Sequence, residues 1–406
     1  MYGLLGRKLS HSLSPEIHAF FGSYRYDLFC REPGEIDDFF RDGSIEAFNV
    51  TIPYKVEAYK RCDVLSATAK EIGSVNTVVK KNGTVYGYNT DLYGFETMVT
   101  KAGASFKDKK VLILGSGGAS RTVSVYCKRA RAHETVIISR SGENNYDNIS
   151  LHSDTDIIVN TTPVGMYPEN GAAPVDLRIF KNLQFVFDLI YNPFRTKLLL
   201  DADKLGIPNS NGLYMLIAQG MKSSELFTGK EIDVSVIEKA YGEIKKNMMN
   251  IVLIGMPGCG KSTAGRVLAK LTGREFIDTD EEIEKAEGKK IPEIFAQNGE
   301  EYFRNAEARE IGRLTKHPGQ IIATGGGAVL REENRDSLRQ NGIIIYLRRG
   351  VEELSGEGRP LSKSPEAIKK LYDERHSIYE SLAGYTVDAD EDVNITAGRI
   401  LKCVSL

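Results

Sequence analysis

Two stretches of this chain have the residue types and spacing of phosphate-binding loops, and they differ in kind. The run Gly255-Met-Pro-Gly-Cys-Gly-Lys-Ser-Thr fits the pattern of two glycines with four residues between them, followed by a lysine and a hydroxyl. In that pattern the backbone around Gly255, Gly258, Gly260 and Thr263 would cradle a β-phosphate, Lys261 would reach the β and γ oxygens, and Ser262 would ligate Mg2+. The chemistry is ATP-dependent phosphoryl transfer. The second run, Gly115-Ser-Gly-Gly-Ala, sets Gly115, Gly117, Gly118 and Ala119 at the head of a helical pattern, where a bare backbone lets a pyrophosphate approach. About 20 residues on, Val136-Ile-Ile-Ser-Arg-Ser ends where a cofactor ribose would lie. An NAD site wants Asp or Glu there, whereas Arg140 between Ser139 and Ser141 suits a 2′-phosphate, so the expected dinucleotide is NADP(H). Taken alone, the glycine run is equally a tight strand-to-helix turn, and Arg140 equally a solvated surface residue.

Each loop needs a strand leading in and a helix leading out. Apolar runs of strand length, Lys110 to Leu114 and Asn250 to Ile254, stand directly before the two glycine runs. Strand-like runs alternate with helical patterns along the whole chain, the signature of β-α units and parallel sheets, so the fold class is α/β. Two nucleotide loops of different type imply two catalytic units. The span from Ile232 to Met249 reads as a helix trailing into Lys245-Lys246-Asn247, which puts the boundary near 245 to 250.

With 406 residues, 41% hydrophobic and 27% charged, the composition is that of a globular protein long enough for two or three cores. Lys and Arg number 53 against 55 Asp and Glu, a net of −2, which leaves no positive field for nucleic acid or an anionic membrane. No apolar run approaches the roughly 20 residues that span a bilayer. Arg7 and Lys8 interrupt the apolar start, unlike a secretory leader. Five scattered cysteines without a C-x-x-C fit reduced thiols and a cytoplasmic location, and six histidines without ligand spacing give no reason to expect structural zinc.

Residues 1 to about 240 resemble shikimate dehydrogenase through motifs in the family's order: Ser10-His-Ser-Leu-Ser-Pro, Asn49-Val-Thr-Ile-Pro-Tyr-Lys, Gly73-Ser-Val-Asn-Thr, Tyr88-Asn-Thr-Asp and Asn211-Gly-Leu-Tyr-Met-Leu-Ile-Ala-Gln. The resemblance implies that Ser12, Ser14, Thr51, Asn76 and Gln219 hold the carboxylate and ring hydroxyls of 3-dehydroshikimate. It makes Lys55 and Asp91, 36 residues apart, the catalytic pair that delivers a proton while NADPH delivers a hydride. Asn160-Thr-Thr-Pro-Val-Gly-Met and Asp188-Leu-Ile-Tyr-Asn-Pro resemble the segments near the nicotinamide, with Tyr191 near the substrate. One by one, Ser12 and Ser14 could instead cap a helix, and Lys55 with Asp91 could be a surface ion pair. The family's phosphate clamp has a second basic residue shortly after the first arginine; Asn144 stands there, which softens the expected preference for NADP.

Residues 250 to the C-terminus resemble shikimate kinase through the P-loop, Phe276-Ile-Asp-Thr-Asp, Tyr302-Phe-Arg-Asn-Ala-Glu, Ile321-Ile-Ala-Thr-Gly-Gly-Gly, Arg359-Pro-Leu and Asp373-Glu-Arg-His-Ser-Ile-Tyr. The resemblance puts Arg304 and Arg375 on the carboxylate of shikimate, Asp280 on its hydroxyls, Gly326 and Gly327 against its ring, Asp278 near Mg2+ and Arg359 on a lid. Lys261, Asp280 and Arg359 would carry the catalysis. A planar fork that pairs bidentately with a carboxylate explains arginine rather than lysine at 304 and 375. Helix-surface salt bridges would be the ordinary reading of either arginine, and Asp278 and Asp280 could be N-caps. The stretch before Arg359 is shorter than in the family and lacks the arginine that packs on adenine.

The two resemblances lay the chain out as a dehydrogenase substrate domain over 1–95, completed by 205–245, an NADP-binding Rossmann domain over 96–204, and a P-loop kinase domain over 250–406 with a parallel sheet. They imply a bifunctional enzyme whose first product, shikimate, is the acceptor for its second reaction. A quinate dehydrogenase and a shikimate-sensing protein without kinase activity are the rivals.

Overall fold

The protein is described by a computed structural model covering residues 1–9, 12–354 and 365–404. It divides into two compact units, one made of Met1–Asn192 with Asp201–Ile244, the other of Pro193–Leu200 with the chain from Lys245 onward.

The first unit holds two sheets. One contains β1 (Tyr2–Gly6), β2 (Tyr26–Cys30), β3 (Ala47–Val50), β4 (Val64–Leu65), β5 (Thr77–Lys81) and β6 (Thr84–Tyr88), in the order β2-β1-β3-β5-β6-β4. Wholly parallel sheets are what the alternating pattern predicts, but here β5 runs antiparallel to β3 and to β6. The reason is local. Asn82 and Gly83, both at positive φ (51° and 77°), form the two-residue turn that joins β5 to β6, and so short a link makes a hairpin and cannot make a crossover. Leu5, Phe48, Val50 and Val78 are buried in the core of this sheet.

The other sheet of this unit is wholly parallel, with order β11-β10-β9-β7-β8, built from β7 (Lys110–Leu114), β8 (Glu134–Ile138), β9 (Ile157–Asn160), β10 (Phe185–Asp188) and β11 (Asn209–Ser210). Strand β7 lies between β8 and β9, so the sheet continues on both sides of it. The Gly115 run follows at its carboxyl end, where open α/β sheets bind their ligands.

The second unit has one parallel sheet, with order β13-β14-β12-β15-β16: β12 (Asn250–Ile254), β13 (Phe276–Asp278), β14 (Ile321–Ala323), β15 (Gly342–Arg348) and β16 (Tyr385–Asp388). All five residues of β12 are buried, as a strand covered on both faces requires. Its carboxyl end again lies between two neighbours, β14 and β15, and there the P-loop begins. Among the described residues no helix is long and apolar enough to cross a membrane.

Candidate active sites

In the first unit, β3 and the turn after it end at Lys55, the first residue of the helix Lys55–Arg61, while the hairpin of β5 and β6 ends at Asp91, the first residue of the helix Asp91–Ala102. Residues far apart in sequence thereby meet: Lys55 Nζ lies 2.6 Å from Asp91 Oδ2, with side chains 22% and 11% exposed. A surface ion pair would be far more open. Asn76 Nδ2 donates to the other carboxylate oxygen, Oδ1, at 2.8 Å and approaches Gln219 Oε1 at 3.4 Å. Gln219 lies on the helix Leu213–Thr228, which crosses closely over Gly94. A Cβ on Gly94 would stand 2.5 Å from the Met215 carbonyl oxygen and 3.0 Å from Gln219 Cβ, so the approach of the two helices requires a glycine there.

The hydroxyls of Ser12 and Ser14 are 3.2 Å apart, and Ser12 Oγ also accepts the Ser14 N–H at 3.3 Å. Ser12 therefore meets the first N–H of the helix Ser14–Phe21, but the N-cap position is Leu13, with no side-chain cap bond, and Ser14 is buried. Thr51 follows β3 and donates its N–H to the Leu5 carbonyl at 2.9 Å. Tyr191 follows β10 in the loop beyond Asp188, and burial pushes its phenol upward.

The dinucleotide loop joins β7 to the helix Gly118–Arg129. Gly115 takes a φ of +102°, and a side chain at Gly117 or Gly118 would meet nothing within 4 Å. That open cradle at a helix N-terminus fits a pyrophosphate, with Ala119 in the first turn behind it. Beyond β8, Ser139 donates its N–H to the Asn144 carbonyl at 3.1 Å, closing a tight turn on which Arg140 and Ser141 are exposed. Asn144 Oδ1 is engaged with His152 Nε2 at 3.1 Å.

In the second unit the P-loop backbone takes positive φ at Gly255, Gly258 and Gly260 (145°, 84° and 97°), conformations open to glycine. Lys261 Nζ donates to the carbonyls of Gly255 and Met256, each at 2.9 Å, so the ammonium lies folded over its own loop. Ser262 Oγ donates to Asp278 Oδ2 at 2.5 Å, and Asp278 Oδ1 accepts the Asp280 N–H at 3.0 Å as N-cap of the helix Thr279–Glu287. Asp278 thus caps a helix and also faces the P-loop hydroxyl. Two such oxygens fit Mg2+, which keeps waters and phosphate oxygens for its remaining positions. Thr263 stands in the first turn of the helix Lys261–Thr272.

Arg304 and Arg375 are both buried, so neither is the surface salt-bridge residue that an arginine beside acidic neighbours suggests. Arg304 Nη1 donates to Glu307 Oε2 at 2.8 Å, while Glu307 Oε1 and Arg375 Nε have no hydrogen-bond partner. Burial raises the Glu307 carboxyl above its usual range against the pull of Arg304, Arg375 and Arg331. Glycine backbone packs closely against the side chains here. A Cβ on Gly325 would lie 2.5 Å from Asp280 Oδ1, one on Gly326 would strike Pro257, and one on Gly327 would strike the Arg304 guanidinium. Two buried guanidiniums with an unsatisfied donor fit an anionic ligand. Arg359 lies outside the described residues.

Thr77, Thr90 and Ser223, which form a buried hydroxyl cluster behind Asn76, and Glu307, an acidic neighbour of Arg304, do not stand out in the sequence. Ser223 stands one helical turn after Gln219, and Glu307 one turn after Arg304; that spacing is the signal in the sequence.

The "Shikimate dehydrogenase substrate binding domain" family model matches residues 4–78, and the "Shikimate 5'-dehydrogenase C-terminal domain" model matches residues 212–240. A shikimate dehydrogenase (NADP(+)) of Clostridium perfringens is 36% identical over 266 residues, spanning 60% of this chain and 98% of that protein. The chain belongs to the shikimate dehydrogenase family. Among solved structures, a chorismate mutase/shikimate 5-dehydrogenase fusion protein from Clostridium acetobutylicum is similar with a TM-score of 0.58 and 35% identity, over 60% of this chain and 97% of that one. Shikimate 5-dehydrogenase from Thermus thermophilus, solved with NADP(H) and shikimate, is similar with a TM-score of 0.55 and 28% identity, over 60% of this chain and 98% of that one. The "Shikimate kinase" family model matches residues 257–405, from within the P-loop through the last helix. Shikimate dehydrogenase and shikimate kinase domains are therefore joined in one chain.

Proposed function

We propose that the first unit reduces 3-dehydroshikimate to shikimate with NADPH, and that the second transfers the γ-phosphoryl group of ATP to the shikimate hydroxyl which the reduction creates. The observation that carries this reading is the half-enclosed Lys55–Asp91 pair at 2.6 Å, flanked by Asn76 and Gln219. NADPH, when bound, supplies the hydride. Lys55 gives a proton from Nζ to the oxygen that becomes the new hydroxyl, and Asp91 Oδ2 fixes the direction in which that ammonium points. Ser12, Ser14, Thr51, Asn76, Tyr191 and Gln219 hold the carboxylate and hydroxyls, since a site built to bond each hydroxyl rejects analogues that lack one. Gly115, Gly117, Gly118 and Ala119 receive the pyrophosphate, and Ser139, Arg140 and Ser141 the 2′-phosphate.

In the kinase unit, ATP supplies the phosphoryl group. The P-loop backbone and Lys261 hold its phosphates, Lys261 exchanging loop carbonyls for phosphate oxygens, and Ser262 with Asp278 holds Mg2+. Arg304 and Arg375 fork onto the substrate carboxylate, and Asp280 takes the hydroxyl proton. Gly326 and Gly327 leave room for the ring. Arg359, on the family's lid, steadies the transferred group. The cysteines of the described residues are unpaired, which suits a cytoplasmic protein.

Substitution tests the first assignment. Lys55→Met and Asp91→Asn should each lower dehydrogenase turnover by about 10² or more, and the double variant should be little worse than either, because the two act as one device. Phosphorylation of added shikimate should be unchanged in all three. Full reduction rates in either single variant would refute the pairing.

A further inference from the structure

The carboxylate of Asp91 has two oxygens with separate tasks, one facing Lys55 Nζ at 2.6 Å and the other receiving Asn76 Nδ2 at 2.8 Å. This division holds only while the Asn76 amide keeps its nitrogen toward Asp91. Were the amide turned over, its oxygen would face a carboxylate oxygen. Three donors reach Asn76 Oδ1 on the far side: the Thr90 backbone N–H at 2.8 Å, the Thr77 hydroxyl at 3.0 Å and the Thr90 hydroxyl at 3.2 Å. A backbone N–H can only donate, so the atom it meets is the amide oxygen.

The Thr77 hydroxyl is itself directed. Asn49 Nδ2 donates to the Asn76 backbone carbonyl at 3.3 Å, which can only accept, and this identifies the amide nitrogen of Asn49. The same nitrogen lies 3.1 Å from Thr77 Oγ1 and 2.7 Å from Ser223 Oγ, so its two protons are shared among three acceptors. Tyr26, whose phenol burial holds well above its ordinary range, donates to Asn49 Oδ1 at 2.8 Å and keeps that amide from turning. Thr77 Oγ1 has one proton of its own, and of its neighbours Asn76 Oδ1 at 3.0 Å can only accept it, whereas the Ser223 and Thr90 hydroxyls at 3.0 and 3.3 Å can donate in turn. Thr77 is 0% exposed and Asn76 2% exposed, so water cannot replace either bond.

We propose that Thr77 is a positioning residue for the reduction: its hydroxyl fixes the amide orientation of Asn76, and through it the direction in which Asp91 holds Lys55. Thr77 touches none of the reacting atoms, and its role rests on Lys55 and Asp91 being the proton-delivering pair. Misaiming a catalytic group by about 1 Å can cost as much as 10²-fold in rate. Asn76 retains the Thr90 N–H and hydroxyl, so the loss from Thr77 alone is smaller.

The test uses the full chain. Thr77→Val keeps the shape and removes the hydroxyl, and kcat for reduction of 3-dehydroshikimate should fall about tenfold. Thr77→Ser restores the hydroxyl and should return kcat to within about twofold. In an Asp91→Asn background there is no carboxylate left to aim, so Thr77→Val should change kcat by less than about twofold, whereas a residue that merely shapes the pocket would cost the same in both backgrounds. NADPH affinity, read by quenching of its fluorescence, should be unchanged in Thr77→Val. Wild-type turnover in Thr77→Val, failure of Thr77→Ser to rescue, equal losses in both backgrounds, or loss of NADPH affinity together with turnover would each overturn the proposal. Wild-type turnover in Asp91→Asn alone would instead remove the catalytic pair on which it rests.

Discussion

In the proposed function, cofactor choice turns on Arg140. It stands exposed after β8, on a turn closed by the bond from Ser139 N–H to the Asn144 carbonyl. The place of a second base is taken by Asn144, whose side chain is engaged with His152. A single guanidinium then provides the charge for a 2′-phosphate, and hydrogen bonds to charged groups contribute about 1.5–3 kcal/mol, or roughly 10- to 100-fold. Arg140→Ala should lower kcat/KM for NADPH by that factor and leave kcat/KM for NADH within about twofold. Steady-state kinetics with both cofactors decides it, and an equal fall with both would assign Arg140 to folding instead. Lys55, Asp91, Arg304 and Arg375 were legible in the sequence because their chemistry is written in their residue types and motif order. Thr77, Ser223 and Glu307 were not, since their work depends on partners that only folding supplies: Asn49 reaches Ser223 across 174 positions, and a glutamate beside an arginine looks solvated until both are buried.

At the scale of elements, both nucleotide loops sit where theory wants them, at the carboxyl end of a strand whose neighbours continue the sheet on either side. The apolar runs that became β7 and β12 announced this. The antiparallel course of β5 was hidden by the alternation of strand and helix elsewhere, although Asn82-Gly83 is a strong hairpin signal once it is weighed. The segment between β15 and the last helices carries a further consequence. Arg348 is forked onto Asp388 at 2.6 and 3.0 Å, and Arg349 pairs with Glu353 at 3.0 Å, so both nearby arginines already have carboxylate partners. With the family's adenine-packing arginine missing, recognition of the base loses a stacking contact worth about 0.5–2 kcal/mol, or roughly 2- to 30-fold in affinity. The kinase should therefore show a raised KM for ATP and appreciable use of GTP, with phosphate-centred catalysis intact. Turnover efficiencies at saturating shikimate and Mg2+ test this, and a preference for ATP beyond about a hundredfold would refute it.

At the scale of the whole molecule, each unit has its own sheet system and, in the proposed function, its own nucleotide loop and substrate residues, so each activity should survive separation of the chain. The kinase unit nevertheless draws on more than the chain from Lys245 onward. Within it the Phe194 N–H donates to Asn341 Oδ1 at 2.7 Å, the Arg195 N–H to the Gln340 carbonyl at 2.9 Å, and Lys197 pairs with Asp336 at 3.4 Å. A fragment starting at Lys245 loses these, at a cost of about 2 kcal/mol, which for a unit of this size lowers Tm by roughly 4–8 °C. It should still phosphorylate shikimate at 25 °C, and a Tm equal to that of the kinase transition in the intact chain would show the stretch to be idle.

The central claim is that one chain performs two consecutive reactions, and it is tested most directly by giving the purified protein 3-dehydroshikimate, NADPH and MgATP together. NADPH oxidation and ADP release should proceed in equal amounts at completion, with shikimate 3-phosphate as the end product and shikimate as a passing intermediate. Omitting ATP should halt the sequence at shikimate. Accumulation of shikimate in the presence of MgATP, or phosphorylation of added shikimate without any reduction of 3-dehydroshikimate, would contradict the account.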